Sequence, residues 1–239
     1  MMWRRLAAKA PFDIWAIDLS IRPDDEQIAI LSSDEMSRAR RLHFARDRRR
    51  YLAAHVALRH ILAVHGGGAP AAQVFAGVGG KPRLASRPSL DFSLSYAEDT
   101  ALVAVADGMA IGVDIEALRP IHDLDGLMEL VFTAAERRAC STTAPGRARD
   151  RSFLNGWTRK EACLKAIGSG LSTDPSTFEA GLDGTVRAAV EDRFGRTEVD
   201  IGSFELGNCL GAWARIASYT DRTSAAVDRT VGSSPSWMT

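Results

Sequence analysis

The sequence predicts an α+β fold made of two similar halves in a pseudo-twofold relation, each a small, mainly antiparallel sheet packed with helices. Three observations lead there. Segments of helical character are followed by segments of strand character, and this order occurs twice along the chain. The strand segments are joined by short polar turns, as antiparallel neighbours are. The second series starts near residue 110, and 239 residues with 46% hydrophobic content supply enough apolar material for the cores of both halves. The expected division is residues 1–110, residues 111–220, and a tail at 221–239 whose Ser, Thr and Asp carry no apolar period and which is expected to be disordered. No internal repeat is strong enough to prove a duplication.

Taken in order, Phe12 to Ile21 alternates Ile14 and Ala16 with Asp13 and Asp18 and predicts a first strand. Ser32-Ser33-Asp34-Glu35 predicts a helix start, with a serine to cap free amides and acids in the first turn. Seven arginines fall between Arg38 and Arg50, leading into a helix from Tyr51 to Val64 that Gly66-Gly67-Gly68 ends. Gly79-Gly80-Lys81-Pro82-Arg83 reads as a turn that presents one lysine where the backbone can approach a ligand closely. Asp91 to Tyr96 and Thr100 to Ala106 predict two strands joined by Ala97-Glu98-Asp99. Asp107-Gly108 then turns the chain into Ile111 to Glu116, giving a three-stranded meander. A helical stretch follows Arg119-Pro120 as far as Leu130. Thr133 and Glu136 have the spacing of a capping box. After a loop at Ser141 to Gly146 comes the helix that includes Trp157 to Ile167, stopped by Gly168 and Gly170. Thr177 to Leu182, Thr185 to Ala189, Glu198 to Phe204 and Cys209 to Ala217 have strand character.

Bulk properties exclude several function classes. The formal net charge is zero, so the chain as a whole is not built to coat nucleic acid or an anionic membrane. Three cysteines, Cys140, Cys163 and Cys209, are widely spaced without a CxxC, which argues against a disulfide scaffold or a structural zinc. No apolar run has the length of a bilayer span, and the basic N-terminus lacks a hydrophobic export segment, so a cytoplasmic protein is expected.

Two clusters carry chemistry. On the Trp157 helix, Glu161 and Lys165 are four apart and leave the same face, as a solvated ion pair also would. In Ile111-Gly112-Val113-Asp114-Ile115-Glu116, period-two alternation sends Asp114 and Glu116 to one face and Val113 and Ile115 into the core. Paired carboxylates repel unless a cation lies between them, and Mg²⁺ takes such oxygens together with phosphate. An exposed strand edge charged against aggregation is the alternative. With Glu161 as a third acid, the expectation is a Mg²⁺ site of Asp114, Glu116 and Glu161. The local arginine excess suits a small polyanionic ligand, and a wet helix face remains its rival.

Gly112-Val113-Asp114-Ile115-Glu116 together with Trp157-x-x-Lys160-Glu161-Ala162-x-x-Lys165-x-x-Gly168-x-Gly170-Leu171 resembles the 4′-phosphopantetheinyl transferase superfamily, in its monomeric, surfactin-synthetase-activating type. Gly80-Lys81-Pro82 and Phe44-Ala45-Arg46-Asp47 followed by Arg50 agree with it. The resemblance implies a monomeric, Mg²⁺-dependent enzyme that transfers the phosphopantetheine arm of coenzyme A to a serine of an apo acyl or peptidyl carrier protein and releases 3′,5′-ADP. It implies Asp114, Glu116 and Glu161 as metal ligands, Glu161 as acceptor of the serine proton, and Lys165 as a neutraliser of phosphate charge. Arg46, Arg50 and Lys81 match positions that grip the nucleotide end, and Glu136 matches an acid near the metal. Where the family has a Ser-His-Ser-like motif that contacts a coenzyme A phosphate, this chain has Ser95-Tyr96-Ala97. Tyr96 carries no positive charge near neutral pH, so weaker coenzyme A binding or a shifted contact is expected, with Arg83 or the arginine cluster compensating. A Mg²⁺-dependent nuclease or phosphohydrolase would use the same acids. An inactive carrier-protein-binding module is a third reading.

Overall fold

The apolar periods resolve into two four-stranded antiparallel sheets and a two-stranded ribbon in the computed structural model, which describes residues 2–76, 80–192 and 195–217. Along the chain, β1 (Trp3–Arg5) and β2 (Asp13–Asp18) precede a one-turn helix α1 (Asp25–Ile28), then α2 (Ser33–Arg41) and the long α3 (Ala45–Gly66). The ribbon of β3 (Phe75–Ala76) and β4 (Arg83–Leu84) leads to the hairpin of β5 (Leu90–Ala97) and β6 (Thr100–Asp107). The second half starts with β7 (Ile111–Ala117) and continues through α4 (Leu124–Val131), α5 (Ala134–Ser141) and α6 (Arg147–Ile167). It closes with β8 (Val186–Asp192), β9 (Gly195–Leu206) and β10 (Cys209–Ile216).

The strand orders are β1-β2-β6-β5 and β7-β10-β9-β8. In each sheet the strand that precedes the long helix (β2 or β7) pairs with the last strand of its half (β6 or β10), whose other edge takes the strand just before it (β5 or β9). This shared connectivity is what makes the two α+β halves alike, although their sequences show no clear repeat.

Side-chain alternation explains why both faces of the central strands are apolar. Ala101, Val103 and Val105 of β6 meet Ala53, Ala54, Ala57, Leu58, Ile61 and Leu62, the three- and four-spaced buried stripe of α3. Leu102, Ala104 and Ala106, on the other face, share a core with Ile111, Val113, Ile115 and Trp213 of the second half. Ala162, Cys163 and Ala166 of α6 cover the opposite face of the second sheet against Val190, Val199, Ile201 and Ala212. Among the described residues no helix is long and apolar enough to cross a membrane. Cys140, Cys163 and Cys209 are all free and buried.

Four sequence expectations are corrected. Ile111 to Ala117 does not extend the β5–β6 hairpin into a meander, because β6 already has β2 on one edge and β5 on the other. It joins β10 in the other sheet instead. Thr177 to Leu182 forms no strand: a short 3₁₀ turn at Pro175–Thr177 passes into an irregular segment. The helix expected from Tyr51 starts at Ala45 and takes in the last four arginines of the run, Arg46 to Arg50. The expected strand over 12–21 is narrower, with β1 added beside it. The tail expected at 221–239 lies outside the described residues.

Helix α2 begins as expected, with Ser32 and Glu35 forming a reciprocal capping box. Glu35 also has a second role. Its buried carboxylate accepts from Arg59 Nε at 2.9 Å and Nη2 at 2.7 Å, with His55 Nδ1 at 3.1 Å. Arg59 Nη1 donates in turn to the carbonyls of Pro70, Ala71 and Gln73, tying α2, α3 and the following loop together. Burial alone would raise the Glu35 pKa from its ordinary 4.5, but the bonds from His55, Arg59 and Ser32 outweigh it and hold it at about 2. A carboxyl depressed in the folded state contributes stability that is present above the unfolded value and lost as pH falls through the folded one. The expected contribution is on the order of 3 kcal/mol, lost between pH 5 and about 2. Acid titrations of unfolding free energy on wild type and Glu35→Gln check it: the variant is expected to have a flatter curve across that window.

Candidate functional site

The two predicted clusters meet where α6 crosses β7. The crossing is close because Gly112 has no side chain: a Cβ there would lie 2.1 Å from the Ala162 carbonyl oxygen and 2.5 Å from the Ala166 nitrogen. Helix α6 ends at Gly168, whose φ of 79° is left-handed and whose N–H donates to the Leu164 carbonyl. Trp157, Glu161 and Lys165 recur every fourth residue and form one stripe over β7. At one end Trp157 Nε1 donates to Glu116 Oε1 at 3.1 Å. At the other Lys165 Nζ donates to Asp114 Oδ1 at 2.7 Å. Glu161 lies between these two contacts.

Electrostatics show the three acids as one group. The Glu161 carboxyl is pushed up to about 7 by burial and by the charges of Asp114 and Glu116, against an opposing pull from Lys165. Glu116 is raised by burial and by Asp114, with Arg119, Trp157 and Lys165 opposing. Asp114 is 5% exposed, and its Oδ1 accepts from both Lys165 and Ser95, the latter at 2.7 Å. Its Oδ2 is buried without a hydrogen-bond partner. A buried carboxylate oxygen with no donor, beside two further acids, offers hard oxygens of the kind Mg²⁺ takes, so the residue types fit that ion. As the side chains stand, no group of three or more His, Cys, Asp and Glu among the described residues could hold a metal ion, so Asp114, Glu116 and Glu161 would have to draw together around one.

The nucleotide-side candidates are more dispersed. Arg46 is exposed at the start of α3 with its Nε 3.3 Å from Asp47. Arg50 Nε donates to Asp99 at 2.9 Å. Tyr96 is half exposed and lies between the charges of Lys165 and Asp47, so it joins the metal side to the arginine side. Burial raises its hydroxyl pKa, which keeps it a neutral donor. Arg83, on β4, makes no ion pair with the described residues. Lys81 has partners within the chain that its turn does not announce: its buried ammonium donates to the Asp91 carboxylate and the Ile111 carbonyl, inside the seam between the halves.

Glu136 had two rival readings, and its capping role is the one observed. It closes the box with Thr133, and its other oxygen accepts from the N–H groups of Ala180 and Gly181. It also pairs at 2.8 Å with Lys160, a side chain the sequence had not singled out for a site. Lys160 is fully buried, and besides Glu136 its ammonium reaches the carbonyls of Pro175 and Phe178 and the rings of Phe132 and Phe178. The pair fixes the roll of α6 one residue before Glu161. Lys160→Ala strands a buried carboxylate and is expected to cost about 3–5 kcal/mol in urea unfolding. Asp91 and Ser93, which contact β7, were also missed as site-forming residues.

The sequence has counterparts among known proteins. The 4′-phosphopantetheinyl transferase superfamily matches residues 110–212, which include Asp114, Glu116, Glu136 and the whole of α6. The chain is 37% identical over 166 residues to the 4′-phosphopantetheinyl transferase HetI of Nostoc sp., covering 66% of this chain and 69% of that one. It is 36% identical to the 4′-phosphopantetheinyl transferase psf-1 of Bacillus pumilus, covering 69% and 70%. A Bacillus subtilis 4′-phosphopantetheinyl transferase is 30% identical over 73% of this chain and 77% of its own.

Proposed function

This chain belongs to the 4′-phosphopantetheinyl transferase superfamily, and on that premise we propose that it moves the phosphopantetheine arm of coenzyme A onto a serine of an apo acyl or peptidyl carrier protein. In the transfer, a bond forms between the serine oxygen and the β-phosphorus, the bond from that phosphorus to 3′,5′-ADP breaks, and the serine proton passes to the enzyme. Asp114, Glu116 and Glu161 would hold Mg²⁺, which when bound neutralises charge on the pyrophosphate oxygens. Glu161 is the acid proposed to receive the serine proton; burial and Asp114 push its carboxyl up to about 7 in the metal-free site, and a bound cation would pull it back down. Lys165, on the same helical stripe, offsets charge on the leaving phosphate.

Residues 1–110 supply the nucleotide side, with Arg46, Arg50 and Arg83 for phosphate oxygens and Tyr96 as a neutral donor where the family has histidine. Residues 111–220 supply the acids and the catalytic helix. Coenzyme A would draw Arg50 from Asp99, an exchange of one exposed ion pair for another. The observation that carries the reading is the unpartnered, buried Asp114 Oδ2 beside two further acids that its charge perturbs.

Intact-mass analysis of apo carrier protein incubated with this protein, coenzyme A and Mg²⁺ tests it. The expected result is a carrier heavier by one phosphopantetheine, with 3′,5′-ADP released in equal amount. An unmodified carrier beside hydrolysed coenzyme A or cleaved nucleic acid would favour a phosphohydrolase or nuclease instead.

A further inference from the structure

Two sheet edges meet at the seam between the halves: β5 is the last strand of the first sheet and β7 the first strand of the second. Their backbones do not pair. Instead, side chains at alternate positions of β5 reach across. Asp91 Oδ2 accepts the Ile111 N–H at 2.8 Å, Ser93 Oγ accepts the Val113 N–H at 3.1 Å, and Ser95 Oγ donates to Asp114 Oδ1 at 2.7 Å. Period-two geometry puts these three side chains on one face, while Leu90, Phe92 and Leu94 face the core under α3. Lys81 completes the arrangement. It bonds the same Asp91 oxygen and the Ile111 carbonyl, so both backbone groups of Ile111 are held by the Lys81–Asp91 pair. The rungs engage Ile111, then Val113 two positions on, then Asp114 next to it, and that last rung is the candidate metal ligand itself.

We propose that Asp91, Ser93 and Ser95, clamped by Lys81, are positioning residues that register β7 across the seam and turn Asp114 so that Oδ1 is held and Oδ2 is left for the cation. The proposal rests on the reading of Asp114 as a metal ligand. Ser95 and Lys165 occupy one oxygen of that carboxylate together, and the other, buried oxygen has no donor. Without Ser95, Lys165 alone holds Oδ1, and the carboxylate is free to rotate about its last bond. Without Ser93, a buried amide two residues from the fork of Ile111 is left unpaired, and β7 loses the middle rung. Ser93 acts only through Val113, whereas the family resemblance also has Lys81 and Ser95 touch coenzyme A.

The two roles differ in what they do to kinetics. For positioning, Ser93→Ala is expected to lower kcat by about 10–100-fold, the cost usual for groups that orient metal ligands. The Mg²⁺ concentration for half-maximal activity should rise with it, while KM for coenzyme A stays within about twofold. Mn²⁺ alone, followed by water-proton relaxation, is expected to bind Ser95→Ala about tenfold more weakly. Hydrogen exchange of the Val113 amide should speed up in Ser93→Ala, and Ser95→Thr, which keeps the hydroxyl, should recover Mn²⁺ affinity. Thermal midpoints identify any variant that fails to fold, and Ser95→Ala with Mn²⁺ stands in if Ser93→Ala does. A KM for coenzyme A that rises in Ser93→Ala as much as kcat falls, or unchanged kcat in folded Ser93→Ala and unchanged Mn²⁺ affinity in folded Ser95→Ala, overturns the proposal. Full activity of Asp114→Asn would instead overturn the metal reading beneath it, so the two failures are distinguishable.

Discussion

Asp114→Asn is expected to fold and to lose more activity than any other single isosteric change in the chain. The amide keeps the shape of the carboxylate, and one oxygen can still accept from Ser95 and Lys165. What it replaces is the buried oxygen that no protein group satisfies. An NH₂ group there donates and cannot ligate a cation. The loss in kcat/KM should exceed the roughly 100-fold typical of changes to groups that only support a metal ligand. A second consequence follows from charge. Part of what holds the Glu161 carboxyl at about 7 is the Asp114 charge, so removing it should move Glu161 downward toward the ordinary 4.5. NMR titration of the side-chain carboxyls in the metal-free variant measures this directly. An active Asp114→Asn enzyme, or a Glu161 titration that does not move, would show that these acids do not act as one group.

Much of this site can be read from the sequence because its parts are local. Asp114 and Glu116 are two apart on a strand, Glu161 and Lys165 four apart on a helix, and both periods are written in neighbouring residues. The capping boxes at Ser32 and Thr133 are local for the same reason. The seam was hidden because it depends on which two sheet edges meet. Nothing near Asp91 or Ser93 indicates that their partners are the amides of Ile111 and Val113. A Gly-Gly-Lys-Pro turn likewise gives no sign that Lys81 reaches a buried aspartate across the chain. The false strand at 177–182 is instructive too. Phe178 and Ala180 are buried between exposed Glu179 and half-buried Gly181, so the burial alternates as it does in a strand. Yet its backbone groups are taken by side chains: Phe178 O by Lys160, Ala180 O by Arg159, and Ala180 and Gly181 N–H by Glu136. An alternating pattern reports which residues are buried, and it does not tell whether a ladder or a set of buried ions satisfies the main chain.

Gly112→Ala tests the crossing on which everything else is built. The added methyl would meet the Ala162 carbonyl oxygen at 2.1 Å and the Ala166 nitrogen at 2.5 Å, both main-chain atoms of α6. Neither can swing aside as a side chain can, and β7 is held from the other direction by β10 and by the rungs from β5. The helix must therefore lift from the strand, carrying Trp157, Glu161 and Lys165 with it. Overpacking of this kind costs about 1–3 kcal/mol. The larger effect is on chemistry, since displacing catalytic groups by about 1 Å can cost on the order of 10²-fold in rate. Gly66→Ala is the matched control. Its methyl meets the end of the Leu84 side chain at 2.9 Å, in the other half and against a group that can rotate. It is expected to keep kcat while Gly112→Ala loses it at a temperature where both are folded, and the Trp157–Glu116 and Lys165–Asp114 bonds should be absent from a structure of the Gly112 variant. Equal kcat in the two variants would mean that the spacing between β7 and α6 does not set the position of the three acids.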